Sequence, residues 1–96
     1  MVNPHTNIMY IEATKNLTKF ASVMKPNEDA FVRMGISREC GIDCLFYMNK
    51  GNGREIFSKL IACPTISIWD RGENFIDLHG TFDGYPVTIT FSKTNN

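Results

Sequence analysis

The sequence has no excess of charge of either sign and no long hydrophobic run. Ten Lys and Arg balance ten Asp and Glu, so no overall field would attract the protein to nucleic acid or to an anionic membrane. No apolar stretch is long enough to span a membrane, and Met1 to His5 lack the basic and apolar segments of a secretory signal. We therefore expect a cytoplasmic protein that has no membrane partner.

Cysteine is scarce and odd in number, with Cys40, Cys44 and Cys63 as the three thiols. Without an export signal, an odd count indicates reduced thiols rather than a disulfide framework. Three residues separate Cys40 from Cys44 and the third cysteine is distant, a spacing that lacks the paired ligands of ordinary zinc sites. The sequence therefore predicts neither a metal nor another cofactor.

Apolar residues are present in ordinary amount. The 96 residues are 43% hydrophobic and 11% aromatic, a composition typical of globular proteins rather than of disordered ones. A chain of this length can bury roughly two-thirds of the surface that its unfolded form exposes. We expect residues 1–96 to form a single domain with one modest core.

Residues 65–92 predict a three-stranded antiparallel meander. The pair Asp83-Gly84 lies between two runs of alternating apolar residues, which is the strongest local signal for a β-hairpin. Counting from that turn predicts the pairs Phe82 with Tyr85, Leu78 with Ile89, and Ile76 with Phe91. These pairs would give the meander one wholly apolar face.

The first part of the chain predicts a helix. Leu17, Phe20 and Met24 recur at helical spacing, Thr14 is an acceptable N-cap, and Pro26 cannot continue the helix, so it should end near Met24. Residues 8–12 fit a short strand or the same helix equally well.

The middle of the chain predicts two strands and a second helix. Apolar residues alternate over 32–36 and again over 42–48, as expected for a hairpin of two strands. After Gly51-Asn52-Gly53, the residues Ile56, Phe57 and Leu60 have the spacing of an amphipathic helix. The order helix, two strands, helix, three-strand meander predicts an α+β fold, with a mainly antiparallel sheet of about five strands and two helices packed on one face.

The second face of the meander is the main candidate site. In this register Trp69 lies opposite Phe75, and Tyr47 joins them if the two parts of the sheet are continuous. Aromatic side chains outside a core often form a protein-binding surface, because they contribute a large contact area at little cost in entropy. The alternative is that a helix covers these rings as a second small core.

Asp77 and His79 lie on this same strand face. The carboxylate could orient the imidazole for general-base catalysis, but no nucleophile accompanies the pair. A hydrogen-bonded polar cluster with Thr88 and Thr90 explains the residue types equally well. We therefore predict no catalytic residue, and we include Asp77 and His79 in the partner-binding surface.

Two further features could bind a partner. The connection between a strand and the start of a helix contains Lys50, Gly51, Gly53 and Arg54, and free backbone N–H groups at a helix start favour an anion. The full fingerprint of a nucleotide-binding loop is missing. A flexible connection is the alternative. The last strand, residues 87–91, could pair with another chain, including a second copy, if it lies at a sheet edge.

These features favour a non-catalytic protein-binding module, a small regulator or inhibitor that acts through the aromatic sheet face or a sheet edge. Viruses and mobile elements use free-standing neutral domains of this size against host machinery. The alternative function is nucleic-acid binding, with aromatic rings as stacking platforms and the basic residues near the second helix on the phosphate backbone.

Overall fold

The computed structural model of the chain describes residues 4–94, with side chains from residue 8 onward. In chain order the elements are α1 (Pro4–Met24), β1 (Phe31–Ile36), β2 (Ile42–Tyr47), α2 (Gly53–Ile61), β3 (Ile66–Arg71), β4 (Phe75–Phe82) and β5 (Tyr85–Ser92). The strands form a single sheet in the order β1-β2-β5-β4-β3. Over these residues the fold is therefore α+β, with two helices and a five-stranded mixed sheet.

The predicted meander is confirmed, because β3, β4 and β5 are consecutive antiparallel neighbours. Asp83 and Gly84 both have positive φ, 52° and 83°, as a tight hairpin turn between twisted strands requires. The pairs counted from this turn are all present: Phe82 with Tyr85, Leu78 with Ile89, and Ile76 with Phe91.

The prediction that the last strand could lie at an edge is wrong. β5 lies in the middle of the sheet, antiparallel to β4 on one side and parallel to β2 on the other, where Ile42 is paired with Val87 and Phe46 with Phe91. Because β5 is central, its backbone is paired with a strand on each side, and its residues Ile89 and Phe91 are completely buried. The edges of the described sheet are β1 and β3.

α1 begins earlier than the periodicity of its second half suggests. It runs from Pro4, a residue well suited to a first helical position, and ends at Met24, where the predicted end is confirmed. The ambiguous residues 8–12 are therefore helical. Thr14 is not an N-cap, because its hydroxyl donates to the Tyr10 carbonyl one turn earlier, at 2.8 Å.

The second half of α1 is fixed to the hairpin between β4 and β5. The Asn16 side chain donates to the Phe82 carbonyl at 3.2 Å, and the rings of Phe20 and Phe82 meet edge to face at 5.2 Å. Lys19 forms an ion pair with Asp83 in the turn itself. These contacts place α1 across the end of the hairpin.

One face of the sheet, here called the inner face, carries the core. Its buried strand residues are Ile42, Cys44, Phe46, Ile66, Ile76, Leu78, Val87, Ile89 and Phe91. α1 adds Phe20 and Met24 to the same cluster, and α2 adds Ile56 and Leu60. No helix in the described part of the chain has the length and apolar character needed to cross a membrane.

Candidate functional site

The opposite side of the sheet, here called the outer face, carries the predicted partner-binding residues. Strand alternation places Tyr47 of β2 and Phe75, Asp77 and His79 of β4 on this face, since their neighbours along each strand are core residues. The threonines of β5 lie between them, with Thr88 paired to His79 and Thr90 to Asp77.

Trp69 lies on this face, next to a β-bulge in β3. Ile68 is paired with Leu78 as expected, but the register then shifts, so that Asp70 rather than Trp69 has a partner on β4. The prediction that Trp69 lies opposite Phe75 is therefore wrong. An extra residue in one strand bends it and redirects a side chain, and the indole lies flat on the His79 ring, with centroids 4.7 Å apart and planes 4° apart.

The aromatic end of the outer face is open. Trp69 is 69% exposed and Phe75 is 48% exposed, which would be impossible under a packed helix. Both helices contribute residues to the inner-face core instead. The alternative in which a helix covers these rings is thus wrong for the part of the chain that the structure describes.

The acid and the imidazole of the outer face are not joined. Asp77 accepts a hydrogen bond from the Thr90 hydroxyl at 2.8 Å, and no hydrogen bond links it to His79 among the described side chains. Instead His79 stacks on Trp69. The arrangement therefore holds the carboxylate and the imidazole in separate contacts, and it does not form a general-base pair.

Tyr47 lies on the same face but at a distance from the other rings. It is paired with Ser92, which is in turn paired with Phe75, so a whole strand separates the two aromatic residues. The Lys50 ammonium lies 4.7 Å from the centroid of the Tyr47 ring, close enough for a cation–π contact. The structure thus brings Trp69 and His79 together and leaves Tyr47 with Lys50.

The glycines of the predicted anion loop are required by packing. A Cβ on Gly51, where φ is 52°, would lie 2.0 Å from the Asn27 side-chain oxygen, and one on Gly53 would lie 1.9 Å from the Tyr47 carbonyl oxygen. Both positions approach other parts of the same chain. These close approaches account for the two glycines without a ligand, whereas Arg54 lines a separate cleft together with Phe57 of α2.

Sequence reasoning missed an apolar surface on α1. Ile8, Met9, Tyr10 and Ile11 are all between 43% and 58% exposed. Four consecutive residues of a helix cannot all lie on one side of it, so this apolar run in the sequence already indicated that some of these side chains would be exposed.

The three cysteines are free thiols, and no group of three His, Cys, Asp or Glu side chains converges as a metal site within the described residues. Cys44 is completely buried on the inner face. Burial, and to a smaller extent the neighbouring Asp43 carboxylate, raises the pKa of its thiol from 9.0 to about 12. The folded protein therefore keeps this thiol protonated and unreactive.

This shift in pKa predicts a loss of stability in alkali. Between pH 9 and about 12 the unfolded chain releases the Cys44 proton and the folded chain retains it, so the free energy of unfolding should fall as pH rises through this window. The fall should be steeper in the natural protein than in Cys44→Ala. Urea titrations at several pH values measure both slopes, and equal slopes would contradict the prediction.

Comparison of the chain with protein-family models, with curated proteins and with solved structures gave no significant match.

Proposed function

We propose that the chain is a non-catalytic protein-binding module, a small regulator or inhibitor of another protein that docks through the outer face. The observation that carries the proposal is the 69% exposure of Trp69, the only tryptophan in the sequence, on an open sheet face. Tryptophan is strongly enriched among the residues that contribute most to binding energy at protein interfaces.

The setting of Trp69 favours tight contact. Its ring is held flat against His79, so less side-chain entropy remains to be lost when a partner covers it. Phe75 is a second exposed aromatic residue on the same face. A surface that is apolar, exposed and already ordered fits the physical requirements of a protein interface.

The charges on this face indicate the chemistry of the partner. Asp70 and Asp77 are directly opposite each other on β3 and β4, and like charges in such a pair are mildly destabilising. A partner surface that brings Arg or Lys side chains to these carboxylates would relieve the repulsion. We therefore propose a partner that covers Trp69 with apolar groups and flanks it with cations.

The same charges weigh against the alternative of nucleic-acid binding through these rings. Phosphates at these rings would lie near the carboxylates of Asp70 and Asp77. Arg54, which this alternative needs on the phosphate backbone, instead lines a cleft with the inner-face residue Ile76. The specific expectation of this alternative is retention of a labelled oligonucleotide that weakens steeply with salt. Retention at low salt that Trp69→Ala abolishes would favour nucleic acid over a protein partner.

The proposal predicts that Trp69→Ala weakens partner binding without unfolding the protein. Immobilised protein captures the partner from lysate, mass spectrometry identifies it, and the affinity is then measured with the purified partner. Loss of a central tryptophan should cost at least about 2 kcal/mol, roughly thirtyfold in Kd. Phe75→Ala should weaken binding in the same direction.

Ile61→Ala is the matched control, because Ile61 is an exposed apolar residue on α2 and lies away from the outer face. It should leave the affinity unchanged, and all three variants should keep the melting temperature of the natural protein to within a few degrees. Equal affinity of the natural protein and Trp69→Ala for every captured partner would sink the proposal.

A further inference from the structure

A cleft of about 320 Å³ lies between α2, the end of β3, the start of β4 and the segments that follow β2 and β5. Its apolar wall is formed by Met48, Phe57 and Ile76, and its charged groups are Arg54, Arg71 and Lys93. The volume falls at the lower end of the range found for small-molecule sites, roughly 300–1,000 Å³. The cleft combines an apolar wall with a few converging polar groups, as such sites do.

The charge of the cleft is one-sided. Three of its lining residues are cationic and none is acidic, in a chain whose charges balance overall. The ion pairs among the described side chains involve Lys15, Lys19 and Arg33, all outside the cleft. None of these ion pairs neutralises Arg54, Arg71 or Lys93, so their charges remain available to a bound anion.

Two of the cations are already held in position. The Asn49 side chain donates to the Lys93 carbonyl at 3.0 Å and accepts from the Arg54 guanidinium at 2.7 Å. The Lys93 ammonium donates to the Gly72 carbonyl at 2.8 Å. A guanidinium has five N–H donors and an ammonium three, so both groups keep free donors for a ligand while their positions are fixed.

We infer that this cleft binds a phosphate monoester that carries an apolar or aromatic group. The phosphate is held by Arg54, Arg71 and Lys93, and the organic group packs against the wall of Met48, Phe57 and Ile76. A phosphate monoester has a charge close to −2 and three acceptor oxygens, which suits three cations that approach from different elements better than a single carboxylate would. This site is separate from the outer face and does not depend on the function proposed for it.

Phenyl phosphate is the probe that tests the inference. Titration followed by ¹H–¹⁵N NMR should give saturable shifts at the residues of the cleft. Arg71→Gln removes one set of charge-assisted hydrogen bonds and should weaken binding at least roughly tenfold. Arg38→Gln is the matched control, because Arg38 is exposed in the turn between β1 and β2, far from the cleft in the sheet, and makes the same change of charge.

Two related probes separate the contribution of the phosphate to binding from that of the ring. Benzyl alcohol, which lacks the phosphate, should not bind, and inorganic phosphate, which lacks the ring, should bind more weakly than phenyl phosphate. If a short phosphotyrosine peptide binds more tightly than phenyl phosphate, the natural ligand is a phosphorylated protein. If the two affinities are equal, the natural ligand is a free small molecule.

Three results would overturn the inference: no saturable shift with phenyl phosphate, equal loss of affinity in Arg71→Gln and Arg38→Gln, or equal binding of phenyl phosphate and inorganic phosphate. Trp69→Ala should leave the affinity for phenyl phosphate unchanged. Failure of this site is therefore distinguishable from failure of the protein-binding proposal.

Discussion

Phe91→Ala should lower the free energy of unfolding by about 3–5 kcal/mol, a large part of the roughly 5–15 kcal/mol that stabilises an ordinary domain. Phe91 is completely buried on the central strand β5. Its ring lies 5.6 Å from that of Phe46 and meets that of Phe57 edge to face at 5.2 Å. Removal of the ring leaves a cavity between the sheet and α2 that these neighbours cannot close, and urea denaturation measures the loss.

Phe75→Ala is the control for this experiment, because it makes the same chemical change on the neighbouring strand at a position that is 48% exposed. Its effect on stability should be below about 1 kcal/mol. Similar losses in the two variants would contradict the division of the sheet into a packed inner face and an open outer face.

Gly80→Ala should destabilise the protein by about 3 kcal/mol, the upper end of the range for an overpacked site. A Cβ at Gly80 would lie 2.0 Å from the Thr65 carbonyl oxygen and 2.7 Å from the Ile66 Cα. Both are backbone atoms at the start of β3, where the same carbonyl accepts from the Thr81 amide at 3.0 Å. Since backbone cannot swing aside as a side chain can, the pairing of β3 with β4 must shift.

Gly35→Ala is the matched substitution for Gly80→Ala. Gly35 lies in the edge strand β1, has no positive φ, and has no heavy atom within 4 Å of the position that its Cβ would take. Alanine also loses less conformational entropy on folding, so stability should stay constant or rise by about 0.5 kcal/mol. A thermal melt of both variants measures the contrast, and an equal drop in the two would contradict the close approach at Gly80.

The parts of the fold that were predicted correctly are those governed by near neighbours. The Asp83-Gly84 turn depends on two residues that adopt positive φ easily, and it then determines every pair between β4 and β5. The end of α1 follows in the same way from Pro26, which disfavours helical backbone in the residue before it.

The mixed character of the sheet could not be predicted by local rules. The paired residues of β2 and β5 lie more than forty positions apart in the chain, and the apolar alternation of the two strands is compatible with parallel or antiparallel pairing. The bulge at Trp69 was missed for a similar reason, since nothing in the sequence near it distinguishes a bulge from a regular strand. The expected pairing of Trp69 with Phe75 failed for a separate reason, since the pairing of Ser67 with His79 would place Trp69 opposite Asp77 even in a regular strand.

The sequence by itself determined the strands, the hairpin turn and the set of residues on each face of the meander, because alternation and turn chemistry act between near neighbours. Only the tertiary structure decided that both helices contribute residues to the inner-face core and that Trp69 and Phe75 are exposed. It also brought Arg54, Arg71 and Lys93 into one cleft. Both outcomes depend on contacts between segments far apart in the chain, and such contacts have no signature within a single stretch of sequence.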